Sequence, residues 1–267
     1  MSSLHDLLNR QRPGPWQQFR AQPCIFLARQ LYYTVYTWQQ YIPSASVKNP
    51  VSVVFISDTH NSQVLIPDGD ILIHGGDLTQ SGSFEELREA ITWLGAQPHH
   101  TKIVIAGNHD ILLDSARGGS SDRAASERAK LDWGDIIYLE NEQTIISCPN
   151  GRRLAVYGSP FSVRHGNWAF QYPQNEDALW RVRPRLHVFG HIHEGAGAES
   201  LSFDKLQSAY ERTLAAGGGI GNLFWTAWEF MMAHFSPVVE PASLLVNPSI
   251  DGGLRDNERR QPIKVYI

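Results

Sequence analysis

Three short, nearly continuous apolar runs open the patterned part of the chain: 51–57 (VSVVFIS), 70–74 (DILIH) and 102–106 (KIVIA). Runs this brief and this rich in β-branched residues predict strands buried on both faces. Between the last two, Phe84, Leu87, Ile91 and Leu94 recur at helical spacing, and Ser83 with Glu86 forms a capping-box signature at the start of that helix. Strand, helix and strand at these lengths make a βαβ unit with parallel strands, the basis of an α/β fold. Further strands are expected at 136–139, 143–147, 153–157, 186–189 and 244–246, with a hairpin turn at Asn150-Gly151 between the second and third of these.

The flanking pattern is different. Residues 16–41 read as one aromatic-rich helix, and 43–50 as a proline-bounded linker, so 1–50 is expected to be an N-terminal helical extension ahead of a domain over 51–267. Within that domain, 205–240 is expected to be an aromatic helical insertion, with Trp, Phe and Met concentrated at 220–239. Its aromatic face has two readings: packing on the domain, or peripheral contact in a membrane interface. No window reaches the roughly 18 uninterrupted apolar residues of a spanning helix. A short helix is expected within 117–130.

Composition adds bounds. A length of 267 residues suits one large or two small domains, and 42% apolar with 19% charged residues supplies a core. The formal charge of −4 gives no support to a nucleic-acid polymer as partner. Cys24 and Cys148 lack CxxC spacing and cannot build a disulfide framework, which favours a reducing, cytoplasmic setting. The oligomeric state is not written in the sequence.

The chemistry sits where strands end. The first run leads into Asp58-Thr59-His60, the second into Gly75-Gly76-Asp77, the third into Gly107-Asn108-His109-Asp110, and 186–189 into Gly190-His191-Ile192-His193. Carboxyl ends of parallel strands form the ligand-binding edge, so these clusters should converge. Carboxylate, amide and imidazole donors without thiolate favour Mn, Fe or Zn. Asp58 and His60 lie two apart on one side of an extended chain, as do His191 and His193. A carboxylate can bridge two cations, and a metal pair about 3.5–4 Å apart is the recurring clamp for displacement at phosphorus. His74, inside an apolar run, reads as a satisfied core histidine; His99, His100 and His187 read as structural or solvent-facing.

The ordered set DxH, GD, GNHD and GHxH resembles the calcineurin-like metallophosphoesterase superfamily. The runs ISDTHN, GDILIHGGDLT, KIVIAGNHD, YGSP and RPRLHVFGHIHEGAG resemble its metallophosphoesterase-domain-containing (MPPED-like) branch over about 51–194, and LLVNPSI resembles the branch's final core strand. The resemblance implies a metallophosphoesterase-type β-sandwich flanked by helices (αββα) that binds two divalent metal ions. It places one metal on Asp58, His60, Asp77 and His193, and a second on Asp77, Asn108 and His191. His109 would be the catalytic histidine, oriented by Asp110, and a metal-bridging hydroxide the nucleophile acting on a small phosphorylated substrate, with a phosphodiester such as a cyclic nucleotide the implied class.

One departure matters. The superfamily carries a further His ligand on its own strand between GSP and GHxH. In 158–189 the only histidines are His165 and His187, and neither ends a buried run. The likeness stops near Asp177 and resumes near Leu179, implying that one strand–helix unit of the second sheet is missing and that the second metal site is weakened. His165, beside GSP, reads as a substrate-binding rim residue of the active site rather than a substitute for the missing ligand, since no strand positions it, and Arg164 reads as a holder of substrate phosphate or as a residue facing water. Two functions therefore stand: a metal-dependent phosphoesterase, or a catalytically weak or inactive metal- or nucleotide-binding protein.

Overall fold

A computed structural model describes residues 14–36, 49–116, 122–163, 168–172, 181–235, 242–252 and 259–267. Arg164, His165 and the junction at Asp177–Leu179 lie outside the described residues. The chain divides into two compact units: Met1–Tyr41, Asp177–His187 and Glu199–Leu245 in one, and Ile42–Glu176, Val188–Ala198 and Val246–Ile267 in the other.

The second unit is built on a mixed five-stranded sheet. β1 (Ser52–Ile56), β2 (Ile71–His74), β3 (Thr101–Val104) and β4 (Ile136–Tyr138) run parallel, and β12 (Ile263–Tyr266) adds antiparallel to β1, giving the order β12-β1-β2-β3-β4. The central strands are buried on both faces, which is why their sequences read as unbroken apolar runs. Helix α3 (Phe84–Gly95) covers one face, packing Ala90, Ile91 and Leu94 against Val54, Ile56, Leu72 and Val104. Its start is fixed by Ser83, whose Oγ accepts from the Glu86 N–H at 3.3 Å. The reciprocal half of the capping box is absent: the Glu86 carboxylate accepts from the Ser81 N–H and hydroxyl instead. The hairpin β5 (Glu142–Ser147) with β6 (Arg153–Gly158) turns at Asn150-Gly151, where Gly151 has φ +82. Short segments complete this unit: helix α4 (Asp122–Arg128) and the parallel pair β7 (Ser162–Val163) and β8 (Gln171–Tyr172). β9 (Leu186–Val188), β10 (Gly197–Ser202) and β11 (Ala242–Asn247) form a separate sheet in the order β10-β11-β9, and the division between the units falls within these strands.

The first unit is helical. Over its described residues, the expected single helix at 16–41 is two helices, α1 (Pro15–Ala21) and α2 (Pro23–Tyr36), because Pro23 disfavours the α conformation at Gln22, whose backbone is non-helical at φ −145 and ψ 73. α5 (Lys205–Ala215) and α6 (Ile220–Phe235) pack with α2, where Tyr32 stacks on Tyr210 at 4.3 Å and donates to Gln207 Oε1. The face that α6 buries is partly polar: the Thr226 hydroxyl meets Thr213 at 2.9 Å, and Glu229 is buried. The aromatic stripe points the other way, leaving Phe224, Trp225, Trp228, Met231 and Phe235 exposed, so it is not the stripe that packs this helix into its own unit. Among the described residues no helix is long and apolar enough to cross a membrane.

Candidate metal centre

Parallel register carries the clusters to one edge. Ile56 pairs with His74 and His74 with Val104, so Asp58, Asp77 and Asn108 all leave the sheet on the same side. The loops are locked to one another by backbone bonds: Asp58 N–H donates to Gly76 O at 2.9 Å, and His60 N–H to Asp77 O at 3.2 Å. Gly107 passes so close to Asp77 that a Cβ there would lie 2.3 Å from Oδ1, and at Gly190 a Cβ would lie 2.6 Å from Asp58 Oδ2. Asp58 (φ +51), His60 (+44), Asp77 (+53) and His191 (+71) all hold left-handed backbone. Such residues persist where surrounding structure over-determines them, and they cluster at functional sites.

Three imidazoles share one arrangement. His60 Nδ1 donates to Thr79 O at 3.1 Å, His109 Nδ1 to Gln80 O at 2.9 Å and His193 Nδ1 to Asp251 O at 2.7 Å. A carbonyl only accepts, so each Nδ1 carries the proton and each neutral ring keeps its lone pair on Nε2. That orientation is typical of histidines held ready to bind a metal. Arg260 donates to the carbonyls of His193 and Asp251 at 2.8 and 3.2 Å, holding the His193 loop.

Donor atoms of Asp58, His60 and His193 lie within 4.8 Å of one another, and so do those of His60, Asp77 and His109. The carboxylates are the electrostatic problem. Asp58, Asp77 and Asp110 are buried, and among the described residues no lysine or arginine pairs with them. Burial, then the charges of Asp110 and Asp58, push the Asp77 carboxyl up to about 8. Burial also lowers the His60 pKa, helped by the neighbouring His109. Crowded carboxylates without a counter-charge and imidazoles with aligned lone pairs are what a divalent cation would reconcile, so the donor set fits one.

The family model for calcineurin-like phosphoesterases matches residues 51–195, more than half of the chain. The chain belongs to that family. Its similarity is to the metallophosphoesterase-domain-containing branch: it is 28% identical to metallophosphoesterase domain-containing protein 1 of Homo sapiens, over 58% of this chain and 65% of that protein. It is 29% identical to a UPF0046 protein of Caenorhabditis elegans, over 61% and 80%. A probable rhamnogalacturonate lyase C of Emericella nidulans is 38% identical over 99% of this chain. The chain spans 29% of the length of that fungal protein and 65% of the human one. The fungal alignment runs over 304 positions against 267 residues here, so at least 37 positions of it have no counterpart in this chain.

The structure brings Asp58, His60, Asp77, His109 and His193 together, with Asn108 buried between two contacts to Asp77: the Gly107 backbone and the His109 N–H, which donates to Asp77 Oδ1 at 2.7 Å. His191 joins neither donor group; its backbone N–H donates to Asp58 Oδ1 at 2.8 Å. Asp110 sits beside this group, with its bonds directed at the backbone. Its carboxylate does not bond to the His109 ring but accepts from the backbone of Leu78, Thr79 and Gly107 and from the Thr79 hydroxyl, tying two loops together. His109 is oriented by Gln80 O instead. His74 is fully buried, accepting from Gly76 N–H at Nδ1 and donating from Nε2 to Thr59, and burial holds its pKa at about 3. The sequence reading missed Trp168, which stacks on His109 at 4.5 Å, and Arg260.

Proposed function

We propose that this chain is a metal-dependent phosphoesterase whose substrate is a small phosphodiester, a cyclic nucleotide being the class the branch likeness favours. The observation that carries the reading is the set of three imidazoles, each tied through Nδ1 to a backbone carbonyl, around two buried carboxylates that have no lysine or arginine beside them among the described residues. Asp58, His60, Asp77 and His193 would hold one divalent ion, and Asp77 with Asn108 and His191 a second, drawn from Mn, Fe or Zn. Bound ions of this kind neutralise phosphoryl oxygens and lower the pKa of water. The chain's own part is to fix the geometry. Gln80 O holds His109 so that, as imidazolium, its Nε2 proton passes to the departing oxygen as the P–O bond breaks, while the oxygen of a water adds to phosphorus and the proton that water gives up restores the ring. The free thiols Cys24 and Cys148 accord with a cytoplasmic setting.

Hydrolysis of bis(p-nitrophenyl) phosphate with added Mn²⁺ tests this, with His109→Ala as control. Activity no greater than the control's removes the enzyme assignment. A second reading, a metal-binding protein with weak or no turnover, draws on the absence from 158–189 of a histidine that ends a buried run. Metal content separates the two: near two equivalents per chain supports a working pair, and one or none supports the second reading.

A further inference from the structure

The His109 ring is held on three sides. Its Nδ1 bonds to Gln80 O, the His60 ring meets it edge-on at 4.6 Å, and the Trp168 indole lies over its face at 4.5 Å with 25° between planes. One hydrogen bond fixes one atom and leaves a ring able to swing about it; an indole on the face removes that freedom.

The placement of Trp168 is built rather than incidental. The next residue, Ala169, donates its N–H to Asn108 O at 3.3 Å, and Phe170 donates to Asp114 Oδ2 at 2.9 Å. Phe170 O in turn accepts from Ser162 N–H. Ala169 and Phe170 are both buried, in a cluster with Leu87, Ala106, Leu112 and Leu113, and Phe170 holds φ +48. A bulky aromatic residue in left-handed backbone is a genuine outlier, and here the flanking bonds enforce it. The result is a large aromatic left 38% exposed beside the donor groups while its two successors are buried.

We propose that Trp168 is a positioning residue that locks the His109 imidazole in the orientation needed to hand a proton to the leaving oxygen. This rests on the phosphoesterase assignment for its consequence, but the lock itself is observable without turnover. It predicts that loss of the indole matters most where the leaving group most needs protonation.

The test uses the full chain with Mn²⁺ and two phosphodiesters, one with a p-nitrophenyl and one with a phenyl leaving group. Trp168→Leu should lower kcat for the phenyl ester by about 10- to 100-fold and for the p-nitrophenyl ester only a few-fold, with KM and metal content unchanged. Trp168→Phe should restore most of the loss. In a His109→Ala background, Trp168→Leu should cost nothing further. Independently of activity, the His109 Cε1–H proton resonance, identified by its absence in His109→Ala, should lie upfield and move downfield in Trp168→Leu. Equal losses on both esters, additive losses with His109→Ala, or an unmoved resonance each overturn the proposal. Should the unsubstituted protein hydrolyse neither ester, the phosphoesterase assignment fails, and the resonance alone decides whether the indole holds the ring.

Discussion

Removing every divalent ion should expose the cost of burying Asp77 as a charge, and that cost has a sign and a window. Its carboxyl is raised from 3.8 to about 8 in the folded protein, so the folded chain binds a proton that the unfolded chain has already released. Stability therefore falls as pH rises between those values. Buried histidines oppose this at lower pH. His60, His74, His99 and His187 are depressed by burial below 6.5, and the stability they contribute is complete above 6.5 and lost as pH falls through it. From pH 6.5 to 8 the effect of the crowded carboxyls, Asp77 and the neighbouring Asp110 that burial also raises, stands nearly alone. At about 1.4 kcal/mol per pH unit, one and a half units give roughly 2 kcal/mol, an upper figure because titration rounds off near the pKa. For a protein of this size that corresponds to a melting temperature lower by about 4–8 °C at pH 8 than at pH 6.5. The assay is thermal unfolding of chelator-treated protein across that range, beside Asp77→Asn and beside protein saturated with Mn²⁺. Asp77→Asn should reduce the slope, leaving only what Asp110 contributes. Mn²⁺ should reverse it, because the cation binds the carboxylate form and binds it more tightly as protons leave. A metal-free melting temperature that is level or climbs over this interval, with the same trend in Asp77→Asn, would refute the account of a crowded carboxylate with no cation beside it.

Three further substitutions probe the scaffold around the site. Gly107→Ala puts a Cβ 2.2 Å from the Asp77 N, and calorimetric Mn²⁺ titration should show affinity lower by about 10- to 100-fold. Asp110→Ala strips the acceptor from the Leu78, Thr79 and Gly107 amides, and urea unfolding should show a loss of roughly 3 kcal/mol or more. Ser83→Ala removes the cap of α3 and should cost about 1 kcal/mol in the same assay without altering Mn²⁺ affinity.

The central strands were legible because burial on both faces writes itself as consecutive β-branched residues; β1, β2 and β3 fall within a residue or two of the expected runs. Convergence of the Asp58, Asp77 and Asn108 clusters followed from parallel pairing, since only strands sharing a direction deliver their carboxyl ends to one edge; the expectation did not foresee that the His191–His193 loop follows β9, a strand of the other sheet. β12 was missed because IKVY is four residues after a polar stretch, and its place beside β1 depends on a partner two hundred residues away. Pro23 divided the N-terminal helix in a way the aromatic pattern concealed. At the site, side chains were readable and their supports were not. Thr79, Gln80 and Asp251 act through carbonyl oxygens, which every residue has, so no residue type announces them. The bonds of Asp110 were hidden for the same reason: an acidic residue after a histidine looks like its partner, whereas the groups it accepts from here are backbone amides and the Thr79 hydroxyl.

The left-handed backbone at Asp58, His60, Asp77 and His191 bears on how any mutational survey of this centre should be interpreted. Alanine at these positions deletes a donor and also asks an ordinary β-carbon to occupy a conformation it dislikes, so the measured damage is a composite. Asparagine tolerates the same torsions and keeps a comparable bulk. An Asn variant at Asp58 therefore reports the loss of the carboxylate charge with the loop's shape kept, and the further damage in an Ala variant is the joint cost of the strained backbone and the lost oxygen donor.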